Sequence, residues 1–112
     1  MNGEPGAEQV AAVLEEACLS SVNAAEVVSR LCDRGISRAD ARRAIDRLGM
    51  EIVPFDFEQA MTAGALRPAT RALGLSLGDR ACLALGQALG LPVLTADRAW
   101  GQLSGFDITI IR

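Results

Sequence analysis

Apolar positions change period several times along the chain, and each change marks an element. From Gly6 to Ala17, Val10, Val13, Leu14 and Ala17 recur at i, i+3, i+4 and i+7 with Glu8, Glu15 and Glu16 opposite, which predicts an amphipathic helix. The short apolar run Ala17 to Val22, bounded by Asn23, predicts a buried strand. Asn23 then opens a helix through Val27, Val28 and Leu31 that stops at Gly35, and Ser37 caps a second through Ala41, Ile45 and Leu48 that stops at Gly49; together they predict a helix hairpin. Met50 to Phe55 is brief and β-branched, a strand with Pro54 at its exit. Asp56 caps a helix to about Leu66, after which Pro68 and Gly74 frame an irregular return segment. From Leu77 to Leu89, Ala81, Ala84, Leu85, Ala88 and Leu89 line one face and Cys82 and Leu83 widen it, so this helix belongs in the interior. Pro92 to Thr95 and Asp107 to Ile111 complete the strands, with a short helix from Asp97 to about Leu103 between them.

Strands alternating with helices and no two-residue hairpins predict crossover connections, hence an α/β fold with a mostly parallel sheet covered on both faces. Binding sites in such sheets lie beyond the carboxyl ends of the strands. The length of 112 residues, half of them apolar, suits a single domain over 1–112. No apolar run approaches the roughly 18 to 20 residues that span a bilayer, and the start Met1-Asn2-Gly3-Glu4 lacks an export signal, so no membrane contact and a cytoplasmic location are expected. Histidine is absent and Cys18, Cys32 and Cys82 lack metal-site spacing, which removes structural zinc, haem and histidine-based catalysis. All three cysteines read as buried small hydrophobes, and Trp100 as a packing residue near the last strand. The formal net charge of -3 argues against holding nucleic acid by bulk positive charge.

Three acids converge on the predicted site edge. Glu26 lies in the first helical turn after the strand at Ala17, Asp79 starts the interior helix, and Asp97 lies just past the strand at Pro92. Each has a capping alternative, because Asn23-x-x-Glu26 and Ser76-x-x-Asp79 fit capping patterns and Asp97 suits an N-cap. Gathered together, however, carboxylates repel one another and lose solvation, a cost that a divalent cation removes. Oxygen-only ligands select hard Mg²⁺ or Mn²⁺, the usual equipment for phosphodiester hydrolysis, and such a cation would join an acidic protein to an anionic substrate. Arg80 and Arg98, each directly after one of the acids, are candidates to contact substrate phosphates or orient the carboxylates.

At these residues the sequence resembles the PIN-domain family, specifically the VapC-type toxins of bacterial toxin-antitoxin pairs. The resemblance is carried by SSVNAAEVVSRL around Glu26, GLSLGDRACLALG around Asp79, LTADRAW around Asp97 and GEPGAEQV near the start, and runs from about Gly3 to Arg112. It implies a three-layer fold with a four- or five-stranded parallel sheet, Mg²⁺ or Mn²⁺ at clustered acids, and endoribonuclease activity on RNA restrained by a cognate antitoxin. By position, Glu26, Asp79 and Asp97 match the family's catalytic, metal-binding acids; Thr95, Asn23 and Ser21 stand beside them as supporting residues. A homodimer is likewise implied.

Relatives begin with an apolar strand ending in an Asp-x-Ser type segment, which forms the middle of the sheet between the strands at Ala17 and Met50 on one side and those at Pro92 and Asp107 on the other. That strand and its aspartate are missing here, so the expectation is translation from an upstream start or a truncated remnant. A buried strand of about five apolar residues contributes on the order of 10 kcal/mol, at roughly 1.5 to 3 kcal/mol per side chain, against a domain stability of about 5 to 15 kcal/mol. The chain is therefore expected to fold poorly alone unless its half-sheets close up or another chain supplies the strand. Two further functions stay open: a PIN-like module that binds an antitoxin or itself without turnover, and a silent α/β fold whose acids only cap helices. For the binding module, the hairpin Asn23 to Leu48 is the candidate surface, since Arg30, Arg34, Arg38, Arg42, Arg43 and Arg47 outnumber Asp33, Asp40 and Asp46. Its alternative is a solvated face with i,i+4 pairs.

Overall fold

The computed structural model describes residues 12–13, 18–95 and 98–110. In chain order these form β1 (Ala12–Val13), β2 (Cys18–Ser20), α1 (Ser21–Asp33), α2 (Arg38–Arg47), β3 (Glu51–Val53), α3 (Phe57–Ala65), α4 (Arg67–Thr70), a 3-10 turn (Arg71–Leu73), α5 (Leu77–Leu89), β4 (Val93–Thr95), a second 3-10 turn (Arg98–Gln102) and β5 (Ile108–Ile110). The helices begin where short polar side chains satisfy their first amides: Ser37, Asp56 and Ser76 accept from the N–H groups of Asp40, Gln59 and Asp79. At the other end of α5, Gly90 adopts φ 68° and closes the last turn by donating to the Gln87 and Gly86 carbonyls.

The strands lie in the order β3-β2-β1-β4-β5. β2 and β3 run parallel with Leu19 opposite Ile52, and β4 and β5 run parallel with Leu94 opposite Thr109. This is the expected arrangement of two parallel half-sheets around a centre. The centre itself differs from expectation: among the described residues no parallel strand fills it, and Ala12–Val13 occupies it instead, antiparallel to both neighbours, with Val13 opposite Cys18 and also opposite Val93. Residues 12–13 are thus strand where the 6–17 pattern predicts helix; the remainder of that predicted helix lies outside the described residues. The physical reason is tertiary. The inner edges of β2 and β4 present backbone donors and acceptors that need partners inside the protein, and this requirement outweighs a helix propensity of a few tenths of a kcal/mol per residue.

A second correction concerns Pro68 to Gly74, which is helical and not irregular. Pro68 sits in the first turn of α4, where its missing N–H costs nothing, and the chain tightens into the 3-10 turn before Gly74. The third is Cys32, which is exposed, whereas Cys18 and Cys82 are buried as expected.

α5 is the interior helix. Residues 80 to 86 are all buried, and its side chains enter two apolar clusters. Cys82 and Leu83 join Leu75, Val93 and Trp100 over the β4–β5 half, while Leu85 meets Cys18 over the β2–β3 half. Trp100 is 2% exposed, a packing residue as expected. α3 packs along α5, and the small buried side chains Ala63, Ala81 and Ala84 suit a close approach of helices. Among the described residues no helix is long and apolar enough to cross a membrane.

Gly86 marks where α5 meets β4: a Cβ there would lie 2.4 Å from Val93 Cγ2 and 3.2 Å from the Leu91 carbonyl. Gly86→Ala is therefore expected to destabilise the protein by about 1 to 3 kcal/mol through overpacking. Gly64, on α3 with nothing within 4 Å of a Cβ, should respond oppositely, Gly64→Ala stabilising by about 0.4 to 1 kcal/mol. Urea denaturation of both variants checks the pair.

Candidate functional site

The site edge is built where β2 runs into α1. Ser20, the last residue of β2, is buried, and its hydroxyl accepts from the Val22 N–H at 3.2 Å. Ser20 and not Asn23 is therefore the cap of α1, which places Asn23 inside the first turn and Glu26 beyond it. Asn23 is 3% exposed. Its Nδ2 donates to the Gly78 carbonyl at 3.0 Å and to Glu26 Oε1 at 3.4 Å. These bonds join the head of α1 to the head of α5 and bring Glu26 to the residue that precedes Asp79.

Asp79 realises the capping pattern read from the sequence. Its Oδ2 accepts from the Ser76 N–H at 2.8 Å while the Ser76 hydroxyl accepts from the Asp79 N–H at 3.2 Å, a complete capping box. A carboxylate at this helix end also meets the positive pole of the peptide dipoles. One turn further along α5, burial and then the negative charge of Asp79 push the Cys82 thiol up to about 12.

Gly78 is the residue that sequence reasoning passes over. A Cβ at this position would fall 2.2 Å from Glu26 Oε1 and 2.3 Å from Oε2, so the carboxylate rests against the bare Cα of α5. The available signal was a glycine inside the first turn of an otherwise helix-favouring stretch, where it costs about 0.5 to 1 kcal/mol relative to alanine.

The other expected residues fall into different places. The Ser21 hydroxyl accepts from the Phe55 N–H at 3.0 Å, tying the start of α1 to the exit of β3. Thr95 ends β4, its backbone opposite Ile110, and Arg98 opens the 3-10 turn. Asp97 lies outside the described residues. Arg80, expected to meet phosphate, is 7% exposed, and its Nη1 donates to the Ala63 carbonyl at 2.9 Å, so its charge serves the α3–α5 contact. A guanidinium reaches that carbonyl because Arg80 lies on the buried face of α5, while Ala63 offers one of the last carbonyls of α3, which lack partners within the helix.

Among the described residues no three acid or thiol ligands gather closely enough to hold a metal ion. Oxygen donors of this kind suit a hard divalent cation, which commonly takes only one or two protein carboxylates. Glu26 is lodged against Gly78, the residue before Asp79 on α5, and the buried Oδ1 of Asn23 has no hydrogen-bond partner.

A family model described as PIN domain matches residues 1–105. Among solved structures, the chain is similar to VapBC2 from Rickettsia felis bound to a DNA fragment from its promoter, with a TM-score of 0.64 and 16% identity over 83% of this chain and 73% of that one. It is also similar to DNA-bound VapBC from Salmonella typhimurium, with a TM-score of 0.61 and 22% identity over 83% and 74% of the two chains. At these identities the two likenesses speak for the fold alone. VapBC-5 from Mycobacterium tuberculosis, a member of the VapBC family of toxin-antitoxin systems, gives a TM-score of 0.54 at 26% identity over 83% and 79%. No curated protein matches the chain significantly.

The thiols offer a direct check on how α5 is buried. At pH 8 a maleimide should label Cys32 alone in the native protein, Cys18 and Cys82 reacting only after unfolding. Because the Cys82 thiol ionises near 9.0 when unperturbed and near about 12 in the fold, the unfolded state releases its proton first as pH rises. Stability is therefore expected to be full below about pH 9 and to decline between about 9 and 12, and Cys82→Ala should remove this contribution in denaturation curves taken across that range.

Proposed function

The chain belongs to the PIN domain family, and from that premise we propose that it is a metal-dependent endoribonuclease of the toxin type, restrained by a protein antitoxin. One observation carries this reading: Asn23 bonds both the Gly78 carbonyl and Glu26, so the Glu26 carboxylate lies against Gly78, the residue before Asp79, at the head of α5. The family uses divalent metal ions; here Glu26 and Asp79, with Asp97, would hold Mg²⁺ or Mn²⁺. When bound, such a cation supplies charge for a phosphodiester oxygen and acidifies a water.

The chain's own residues do the positioning. Glu26 is oriented by the Asn23 amide and has no room to move toward α5, because it already rests on Gly78. Asp79 is oriented by the Ser76 amide that it caps. Arg98, next to Asp97, is assigned to substrate phosphate, while Arg80 is left out of substrate contact by its burial. Thr95 and Ser21 frame the ends of the flanking strands.

An antitoxin partner is supported by the likeness to chains of VapBC systems. We assign its docking to the groove of about 650 Å³ between α1, α2 and β3, where Ala24, Ala25, Val28, Ile45 and Ile52 form an apolar floor beside Arg38 and the Arg42–Asp46 pair. Such a groove suits an apolar segment carrying acidic residues. On α2 itself the basic residues are partly paired, Arg42 with Asp46 at 3.3 Å and Arg43 with Asp40, on exposed positions where such pairs contribute little. α3 leaves Phe57 and Met61 exposed one turn apart, and we assign this face to a second copy of the chain.

The groove also sustains a second reading, a binding module without turnover. Incubation of the purified chain with RNA and Mg²⁺ or Mn²⁺ separates the two. Cleavage should require the cation and fall at least about 100-fold in Glu26→Gln, Asp79→Asn and Asp97→Asn, since charge stabilisation by a metal is worth several kcal/mol and 1.36 kcal/mol is tenfold in rate. No cleavage at any concentration of either cation, with antitoxin binding retained, would leave the binding module. For the surfaces, Ala25→Glu should weaken antitoxin binding about tenfold or more in calorimetry without altering the chain's own oligomeric state, whereas Phe57→Glu should shift only the latter in sedimentation.

A further inference from the structure

We infer that the Asn23 carboxamide and the side-chain-free Cα of Gly78 form a preformed cradle for the Glu26 carboxylate, and that both are positioning residues for cation capture at the site proposed above. The inference rests on that reading and adds to it the device by which one ligand is set before the cation arrives.

Three observations support it. Gly78 shows no positive φ, so its backbone conformation does not call for glycine; what excludes a side chain there is the Glu26 carboxylate, with Oε1, Oε2 and Cδ at 2.2, 2.3 and 2.5 Å from a Cβ. Asn23 is buried and spends Nδ2 on two acceptors from different elements, the Gly78 carbonyl at 3.0 Å and Glu26 Oε1 at 3.4 Å. Its Oδ1 is buried without a partner, so the carboxamide keeps its two donor bonds at the cost of an unsatisfied acceptor, which packing alone would not favour. An aspartate of the same shape would bring a second anion against Glu26 and lose the donor to the Gly78 carbonyl. The carboxylate is thereby held before binding, and a ligand that needs no reordering binds its cation more tightly.

The test measures Mn²⁺ affinity of the full chain by electron paramagnetic resonance or calorimetry, alongside melting of the metal-free protein. Gly78→Ala pushes only the far end of a flexible side chain and is expected to keep the metal-free fold while lowering Mn²⁺ affinity about 10- to 100-fold, the range for residues that orient a metal ligand. Asn23→Ala should lower it comparably. In a Glu26→Ala background both substitutions should lose their effect on affinity, because they act through Glu26. Unchanged Mn²⁺ affinity in Gly78→Ala, or effects that simply add to that of Glu26→Ala, would overturn the cradle while leaving the proposed metal site standing. A chain that binds no Mn²⁺ would overturn the function and the cradle together. Should Asn23→Ala fail to fold, Gly78→Ala and its Glu26→Ala cycle decide alone.

Discussion

The two halves of the sheet share one apolar helix, and the rest of the architecture depends on its burial. α5 sends Cys82 and Leu83 toward β4 and β5 and Leu85 toward β2 and β3, so a single rigid element serves both clusters. Among the described residues, backbone pairing at the centre involves Ala12–Val13, and side-chain packing on α5 ties the two halves together as well. A helix so placed cannot shift without breaking both clusters, and its two ends are therefore fixed points of the molecule.

One of those ends is the site. Because α5 is packed into both clusters, whatever is attached to its first turn is held with it: Asp79 through the capping box with Ser76, and Glu26 through Asn23 and the bare Cα of Gly78. The same helix carries Arg80 inward to the end of α3, so adjacent residues of α5 serve opposite purposes, one facing the candidate chemistry and the next securing the scaffold. Carboxylates near a helix N-terminus have a stabilising role of their own, and at Asp79 capping engages Oδ2, so the proposed ligation has a second oxygen to use.

Much of the fold was legible because it rests on local rules. The bounds Leu77–Leu89 of α5 follow from its apolar girth, and Ser37, Asp56 and Ser76 announce their helices by capping chemistry alone. What escaped was decided by distant partners. Val13 belongs to a helical pattern and pairs as a strand because β2 and β4 need it. Asn23 looks like a cap but yields that place to Ser20, since its amide is wanted by the Gly78 carbonyl across the fold. Arg80 sits next to a candidate ligand in sequence, yet the turn of the helix directs it inward. Gly78 could be seen to be costly from sequence, but the reason for the cost lay on another helix.

The central strand also bears on the order of assembly. Its pairing with β2 joins Val13 to Cys18, close in sequence, while its pairing with β4 joins Val13 to Val93 across most of the chain. Loop-closure entropy makes the first pairing cheap and the second slow. The β1–β2 pair is thus expected to form before the carboxyl-terminal strands arrive. The seam between Val13 and Val93, which closes the longer span of chain, is then the later of the two to form.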